Sequence, residues 1–222
     1  VDQIVAGGFN LFFLTCPHAP SGVVFPRAEI EELAERFQGI LVVDEAYGDF
    51  AGESVISLLK RFPRLVVTRT FSKSFGLAGL RIGYGVSSPE VIGLLDRIRD
   101  SYNLDRVAQA AGIAALDDWG YYEATIGKTC YVRDFYRNEF ENLGWDVYPS
   151  QANFLFVRPQ NNEGEFGPEV AESLFKHLKE NRVLVRYFAS HALTRDFLRI
   201  SIGDEDQMLV LWDTITRWLS NE

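Results

Sequence analysis

The chain has 222 residues, 47% of them hydrophobic, which is enough for one large or two small domains around a substantial buried core. Its formal net charge of -9 argues against a general nucleic-acid or anionic-membrane surface, because such partners are gathered by excess Lys and Arg; a small anionic ligand stays open. Cys16 and Cys130 are too few and too far apart for a disulfide framework or a zinc site, and they point to a reducing compartment, by default the cytoplasm.

The opening stretch VDQIVAGGFNLFFLT has no basic leader and no long apolar run, so neither a signal peptide nor a transmembrane span is expected. It reads as an abrupt start on a strand pattern, and we expect a segment before it. Short apolar runs with strand character follow at residues 11–15, 40–43, 65–68 and 81–86, and the segments between the first three read as helical. In RAEIEELAERF, Ile30, Leu33, Ala34 and Phe37 fall on one face at i, i+3, i+4 and i+7. This alternation predicts an α/β fold with a mostly parallel, helix-covered sheet. Helical patterns then run over residues 89–99, 105–116 and 121–143, the last long enough to bridge two domains. After it, NFLFVR, VLVRYF and FLRISI read as short strands beside the amphipathic helices EVAESLFKHLKEN and EDQMLVLWDTITRWL. We therefore expect a large domain over 1–125 and a smaller C-terminal α+β domain over 126–222, with the boundary inside the long helix.

Ligands of open α/β sheets collect beyond the carboxyl ends of the strands. The first three strands are followed by CPHAPSG, DEAYGDF and TFSKSFGLAGLRIG. Lys73 alone would read as a solvated lysine, but small neighbours allow close approach of a ligand. Thr70, Ser72 and Arg81 suit a phosphate, and a lysine near other cations can serve as a carbonyl-directed nucleophile. Asp44 ends a buried strand and needs a cationic partner or hydrogen-bond donors, for which a protonated heterocyclic nitrogen would serve. Tyr47 reads equally as a core ring with a satisfied hydroxyl or as a ligand group. There is no HExxH and no Cys/His cluster, so no metal is expected. His18, His177 and His191 read as loop or surface histidines, and GLAGLRIG lacks the spacing of a nucleotide loop.

VVDEAYGDF followed by TRTFSKSFGLAGLRIGY closely resembles the pyridoxal-phosphate (PLP) aminotransferases of fold type I, and within them the histidinol-phosphate aminotransferase branch. The resemblance continues through SYNLDRVAQAAGIAAL, PSQANFLFVR, VLVRYF and FLRISIG, nearly the whole chain. It implies the PLP-transferase large domain, incomplete here, plus the small domain. Lys73 would hold PLP as a Schiff base and shuttle the substrate proton. Asp44 would face the pyridine nitrogen and Tyr47 the phenolic oxygen, while Ser72, Arg81 and Thr70 would grip the phosphate. Arg199 would bind the anionic end of the substrate with help from Arg186, and Asn153 would lie near the substrate-binding face. An amino donor, a 2-oxo acid and a homodimer of the full-length protein are implied, with no nucleic acid and no membrane.

Two departures stand out. The loop CPHAPSG matches a family pattern whose second asparagine donates to the phenolic oxygen, and that position is Ala19 here. Family members are also longer at the N-terminus, so we expect the 222-residue segment alone to be inactive. A threonine-phosphate decarboxylase-like enzyme, an aromatic amino-acid aminotransferase and a non-catalytic PLP-sensing module remain as alternatives.

Overall fold

The computed structural model describes residues 1–221. Its contacts divide the chain into two compact units, Val1–Ala19 with Val23–Ile126, and Pro20–Gly22 with the chain from Gly127 onward. The first unit opens on a short helix α1 (Asp2–Ala6), where the sequence reads as strand. Gly7 and Gly8 close that helix, so the extended pattern begins only at β1 (Leu11–Thr15). Helix α2 (Arg27–Arg36) leads to β2 (Ile40–Asp44). Its predicted face is observed: Ile30, Leu33 and Phe37 are buried, and Ala34 packs partly buried against the same cluster.

The second crossover departs from expectation. Residues 45–64 hold only two stretches of 3-10 helix, Gly48–Phe50 and Val55–Lys60, before β3 (Leu65–Thr70). Gly48, Gly52 and Pro63 interrupt the segment, and Glu45 captures the Val55 N–H at 2.7 Å, which draws the chain into a tight turn. Strand β4 (Gly83–Val86) returns antiparallel to β3, giving a sheet of order β1-β2-β3-β4 in which the first three strands are parallel. Val42 and Val43 of β2 are buried, as expected of a strand covered on both faces. Gly39 lets β2 start beside β1: a Cβ there would collide with the Asn10 carbonyl, which accepts the Ile40 N–H at 2.9 Å.

Helices α3 (Pro89–Ile98) and α4 (Arg106–Asp117) start where capping chemistry is written in the sequence. Ser88 precedes Pro89, and Asp105 accepts the N–H groups of Val107 and Ala108 at 2.8 and 2.9 Å. The long helix α5 (Trp119–Asn142) follows and runs through both units.

In the second unit, β5 (Asp146–Val147), β6 (Phe154–Arg158), β7 (Arg186–Tyr187) and β8 (Leu198–Ser201) form an antiparallel sheet of order β5-β6-β8-β7. The predicted strand VLVRYF shrinks to Arg186–Tyr187, because Val183 is still tied to helix α6 (Pro168–Glu180) through its N–H to the Leu178 carbonyl at 2.8 Å. Period-two alternation sends Leu155, Val157, Leu198 and Ile200 into one core with Phe140 of α5, Leu174 and Leu178 of α6, and Met208, Ile215 and Trp218 of α7 (Glu205–Asn221). The other face carries Phe154, Phe156 and Arg199. Among the described residues no helix is long and apolar enough to cross a membrane.

Candidate active site

Parallel pairing brings the ends of β1, β2 and β3 to one edge of the first unit, with Thr15 opposite Asp44 and Asp44 opposite Thr68. The Asp44 carboxylate is half-buried, and its Oδ1 accepts the Ala46 N–H at 3.1 Å and the Thr68 hydroxyl at 3.2 Å. Its demand for donors is therefore met by the chain itself, and no cation of the first unit is bonded to it. Two residues past Ala46, Gly48 begins a tight turn, so Tyr47 is folded inward to 9% exposure. The Lys73 ammonium group lies over the Tyr47 ring, 5.2 Å from its centroid, while the lysine as a whole stays exposed.

After β3 the chain makes a tight loop. The Thr70 hydroxyl accepts the Ser72 N–H at 3.0 Å and donates to the Ile82 carbonyl at 3.3 Å, so it shapes the turn. Arg81 adopts φ 53° and ψ 42°, the left-handed region that side chains other than glycine rarely occupy. This backbone turns its guanidinium back over the loop, where Nη1 donates to the Ala78 carbonyl at 3.0 Å and reaches the Ser72 hydroxyl at 3.4 Å. Lys73 and Tyr47 thus meet, and Ser72 and Arg81 meet, while Asp44 ends β2 three residues before Tyr47.

Five residues that the sequence pattern does not single out form a largely buried network adjoining Asp44 and Lys73 in sequence. Glu45 Oε2 accepts Arg69 Nε at 3.0 Å and Nη2 at 2.6 Å, together with the Ser54 hydroxyl at 2.7 Å. Arg69 Nη1 also pairs with Asp49 Oδ1, and Asp49 Oδ2 accepts the Ser74 hydroxyl. The side chains of Glu45, Arg69 and Asp49 are only 4%, 12% and 15% exposed. Burial works against the charge of Arg69, but the Glu45 hydrogen bond and the charges of Glu45 and Asp49 outweigh it and hold the guanidinium above its ordinary pKa. Burial pushes the neighbouring Tyr84 phenol up, and Asp49 and Glu45 add to that shift against the opposing charge of Arg69. Gly48 makes room for this network, since a Cβ there would come within 2.9 Å of Glu45 Cβ and 3.2 Å of Arg69 Cζ. The available signal was an acid pair at i and i+4 in DEAYGDF facing an arginine inside the third strand.

In the second unit Arg199 sits on β8 opposite Phe156 of β6 and Arg186 of β7. Its guanidinium stands over the rings of Phe154 and Phe188 at 5.0 and 5.8 Å, and its Nε is buried without a hydrogen-bond partner. Arg186 is exposed and lies 5.6 Å from the Phe188 centroid. Like charges directly opposite on paired strands repel, and an anion bound between them would relieve both the repulsion and the orphaned donor. Asn153 is half-buried just before β6, its backbone carbonyl accepting the Ile202 N–H at 2.9 Å.

The donor set of the first unit has a definite chemistry. A carboxylate suits a basic ring nitrogen, a phenol suits a phenolate, a primary amine suits an aldehyde, and a hydroxyl with a guanidinium suits a phosphate. Pyridoxal phosphate carries all four counterparts, so these residues fit it.

A sequence profile described as aminotransferase class I and II matches residues 2–215. The histidinol-phosphate aminotransferase of Syntrophotalea carbinolica is 50% identical over 199 residues, which is 90% of this chain and 55% of that protein. The protein of the same name from Geobacter sulfurreducens is 46% identical over 213 residues, 93% of this chain and 59% of its own length. Among solved structures, the histidinol-phosphate aminotransferase of Sinorhizobium meliloti in complex with pyridoxal-5'-phosphate superposes with a TM-score of 0.87 at 27% identity, covering 99% of this chain and 60% of that one. The chain thus spans a little over half the length of the curated relatives it matches.

Proposed function

We propose, because the chain belongs to the aminotransferase class I and II family, that the full-length protein is a PLP-dependent transaminase that converts histidinol phosphate with 2-oxoglutarate to imidazole acetol phosphate and glutamate. Residues 1–125 are then the C-terminal part of the PLP-binding large domain and residues 126–222 the small domain. The observation that carries the reading is the Lys73 amine poised over Tyr47, next in sequence to the Ser72 hydroxyl that Arg81 reaches. When bound, pyridoxal phosphate supplies an electron-accepting ring that stabilises negative charge at the substrate Cα. Lys73 holds the cofactor's carbonyl carbon and, as a free amine, takes the proton from the substrate Cα. Asp44 keeps a proton on the ring nitrogen, and the two donors on its Oδ1 keep its own carboxylate in place. Tyr47 donates to the phenolic oxygen, where Ala19 offers no side-chain donor. Ser72 and Arg81 grip the phosphate, and Thr70 shapes the turn that presents them.

Arg199 and Arg186 hold the phosphate of histidinol phosphate or the distal carboxylate of glutamate, with Asn153 beside the substrate. The names of the relatives at 50% and 46% identity support this choice of substrate. We take the working protein to be a cytoplasmic homodimer; Cys16 and Cys130 form no disulfide among the described residues, which suits a reducing compartment. Borohydride reduction of the PLP-loaded full-length protein, followed by peptide mapping, should place the pyridoxyl group on Lys73. A label on Lys128 or any other lysine would sink the assignment.

A further inference from the structure

We propose that Arg69 is a positioning residue for the proposed reaction, and that its network through Asp49 and Ser74 holds the Lys73 amine in register with Asp44. The inference rests on the reading of Lys73 as the cofactor-holding amine. Lys73 lies in the loop after β3 and Asp44 is the last residue of β2, and the Lys73 side chain is exposed with a ring face beneath its ammonium group. A solvated lysine on a flexible stem loses rotamer freedom when it is held for reaction, so its placement depends on how firmly its backbone is anchored.

The network supplies that anchor on both sides. Glu45 is bonded in sequence to Asp44, and Ser74 is bonded in sequence to Lys73. Arg69, inside β3, takes Glu45 through Nε and Nη2 and Asp49 through Nη1, both on the loop after β2, and the second oxygen of Asp49 crosses to the loop after β3 by accepting the Ser74 hydroxyl. A guanidinium between two carboxylates is a directional clamp, and at 12% side-chain exposure it is little screened by solvent. The Val55 N–H and the Ser54 hydroxyl fill remaining acceptor sites of Glu45, which fixes that carboxylate's orientation. Phe71 and Phe75 anchor the Lys73 loop in an apolar cluster, but they make no bond to Asp49 or Glu45. The polar relay therefore couples the amine loop to the carboxylate loop.

Ser74→Ala and Asp49→Ala, alone and together in the full-length protein, test this, with the melting temperature as control. Each single variant should slow the trapping of pyridoxyl at Lys73 and lower kcat of the glutamate half-reaction by about tenfold or more, with KM within about twofold of wild type. Amide exchange over residues 70–77 in cofactor-free protein should accelerate by a similar factor. The double variant should be no worse than the more severe single one, because both changes cut the same connection. A label at Lys73 with wild-type trapping and exchange rates in both singles overturns the inference alone, as do additive losses or a rise of KM in step with a fall of melting temperature. A label on a different lysine in the unmodified protein overturns the functional reading and the inference with it.

Discussion

Arg199 carries a guanidinium whose Nε is buried without a partner, a state that costs roughly 1 to 3 kcal/mol when the group stays unsatisfied. Arg199→Met should therefore leave the fold as stable or slightly more stable, while KM for histidinol phosphate and for glutamate rises by about tenfold to a hundredfold, the loss of one charge-assisted contact of roughly 1.5 to 3 kcal/mol. Steady-state kinetics alongside thermal melts would check both halves, and an unchanged KM would remove Arg199 from the substrate site. Asp44→Asn keeps an acceptor for the Ala46 N–H and the Thr68 hydroxyl but loses the charge. It should slow the glutamate half-reaction on the order of 10²-fold with little loss of melting temperature, read by single-turnover absorbance. A variant with wild-type turnover would refute the role. At this scale the sequence was legible in position, putting Asp44 at the end of a strand and Lys73 in the loop after the next, where the structure has them. It was silent on Arg69, whose partners Glu45 and Asp49 lie 24 and 20 residues away and are chosen by the fold rather than by spacing.

Elements were legible where one face had to be apolar. The i, i+3, i+7 pattern of α2 predicted Ile30, Leu33 and Phe37 inside, and all three are buried. The second crossover departs from its helical spacing because only eight residues, 55–62, separate the turn at Ser54 from Pro63, and VISLLK closes as a 3-10 helix. β7 shrank for a related reason, since periodicity does not register a backbone bond that holds Val183 to the preceding helix. Gly39 offers a test of how tightly β1 and β2 are set. Gly39→Ala should destabilise the protein by about 1 to 3 kcal/mol, because the added methyl meets the rigid Asn10 backbone. Gly93→Ala, within α3 and with nothing within 4 Å of its Cβ position, should stabilise by about 0.5 to 1 kcal/mol. Urea denaturation of the pair would decide, and equal shifts would show that strand β2 has room to yield.

Across the whole molecule, the βαβ grammar of the first half and the change to short antiparallel strands in the second were written in hydrophobic period, and the parallel-dominated sheet follows from it. What period does not encode is where two arginines end up facing one another on neighbouring strands. Arg186 and Arg199 are paired in register with no carboxylate bonded to either among the described residues. Such concentrated positive charge in a chain of net charge -9 favours a doubly charged phosphate over the single carboxylate of a zwitterionic amino acid with an aromatic ring. The full-length protein should accordingly consume histidinol phosphate in preference to phenylalanine or tyrosine when they compete for the same 2-oxoglutarate. A preference for either aromatic amino acid would overturn the substrate assignment and leave that of the cofactor standing.

The left-handed backbone of Arg81 also sets durability against use. Holding a branched-off side chain at φ 53° costs about 1 to 2 kcal/mol that glycine would not incur, so Arg81→Gly should recover part of that cost even after losing the bond to Ala78. The same change removes the guanidinium that reaches Ser72 and should weaken retention of pyridoxal phosphate. A laboratory population screened for heat resistance alone would drift toward glycine at position 81, and one screened for growth that depends on the reaction would hold the arginine.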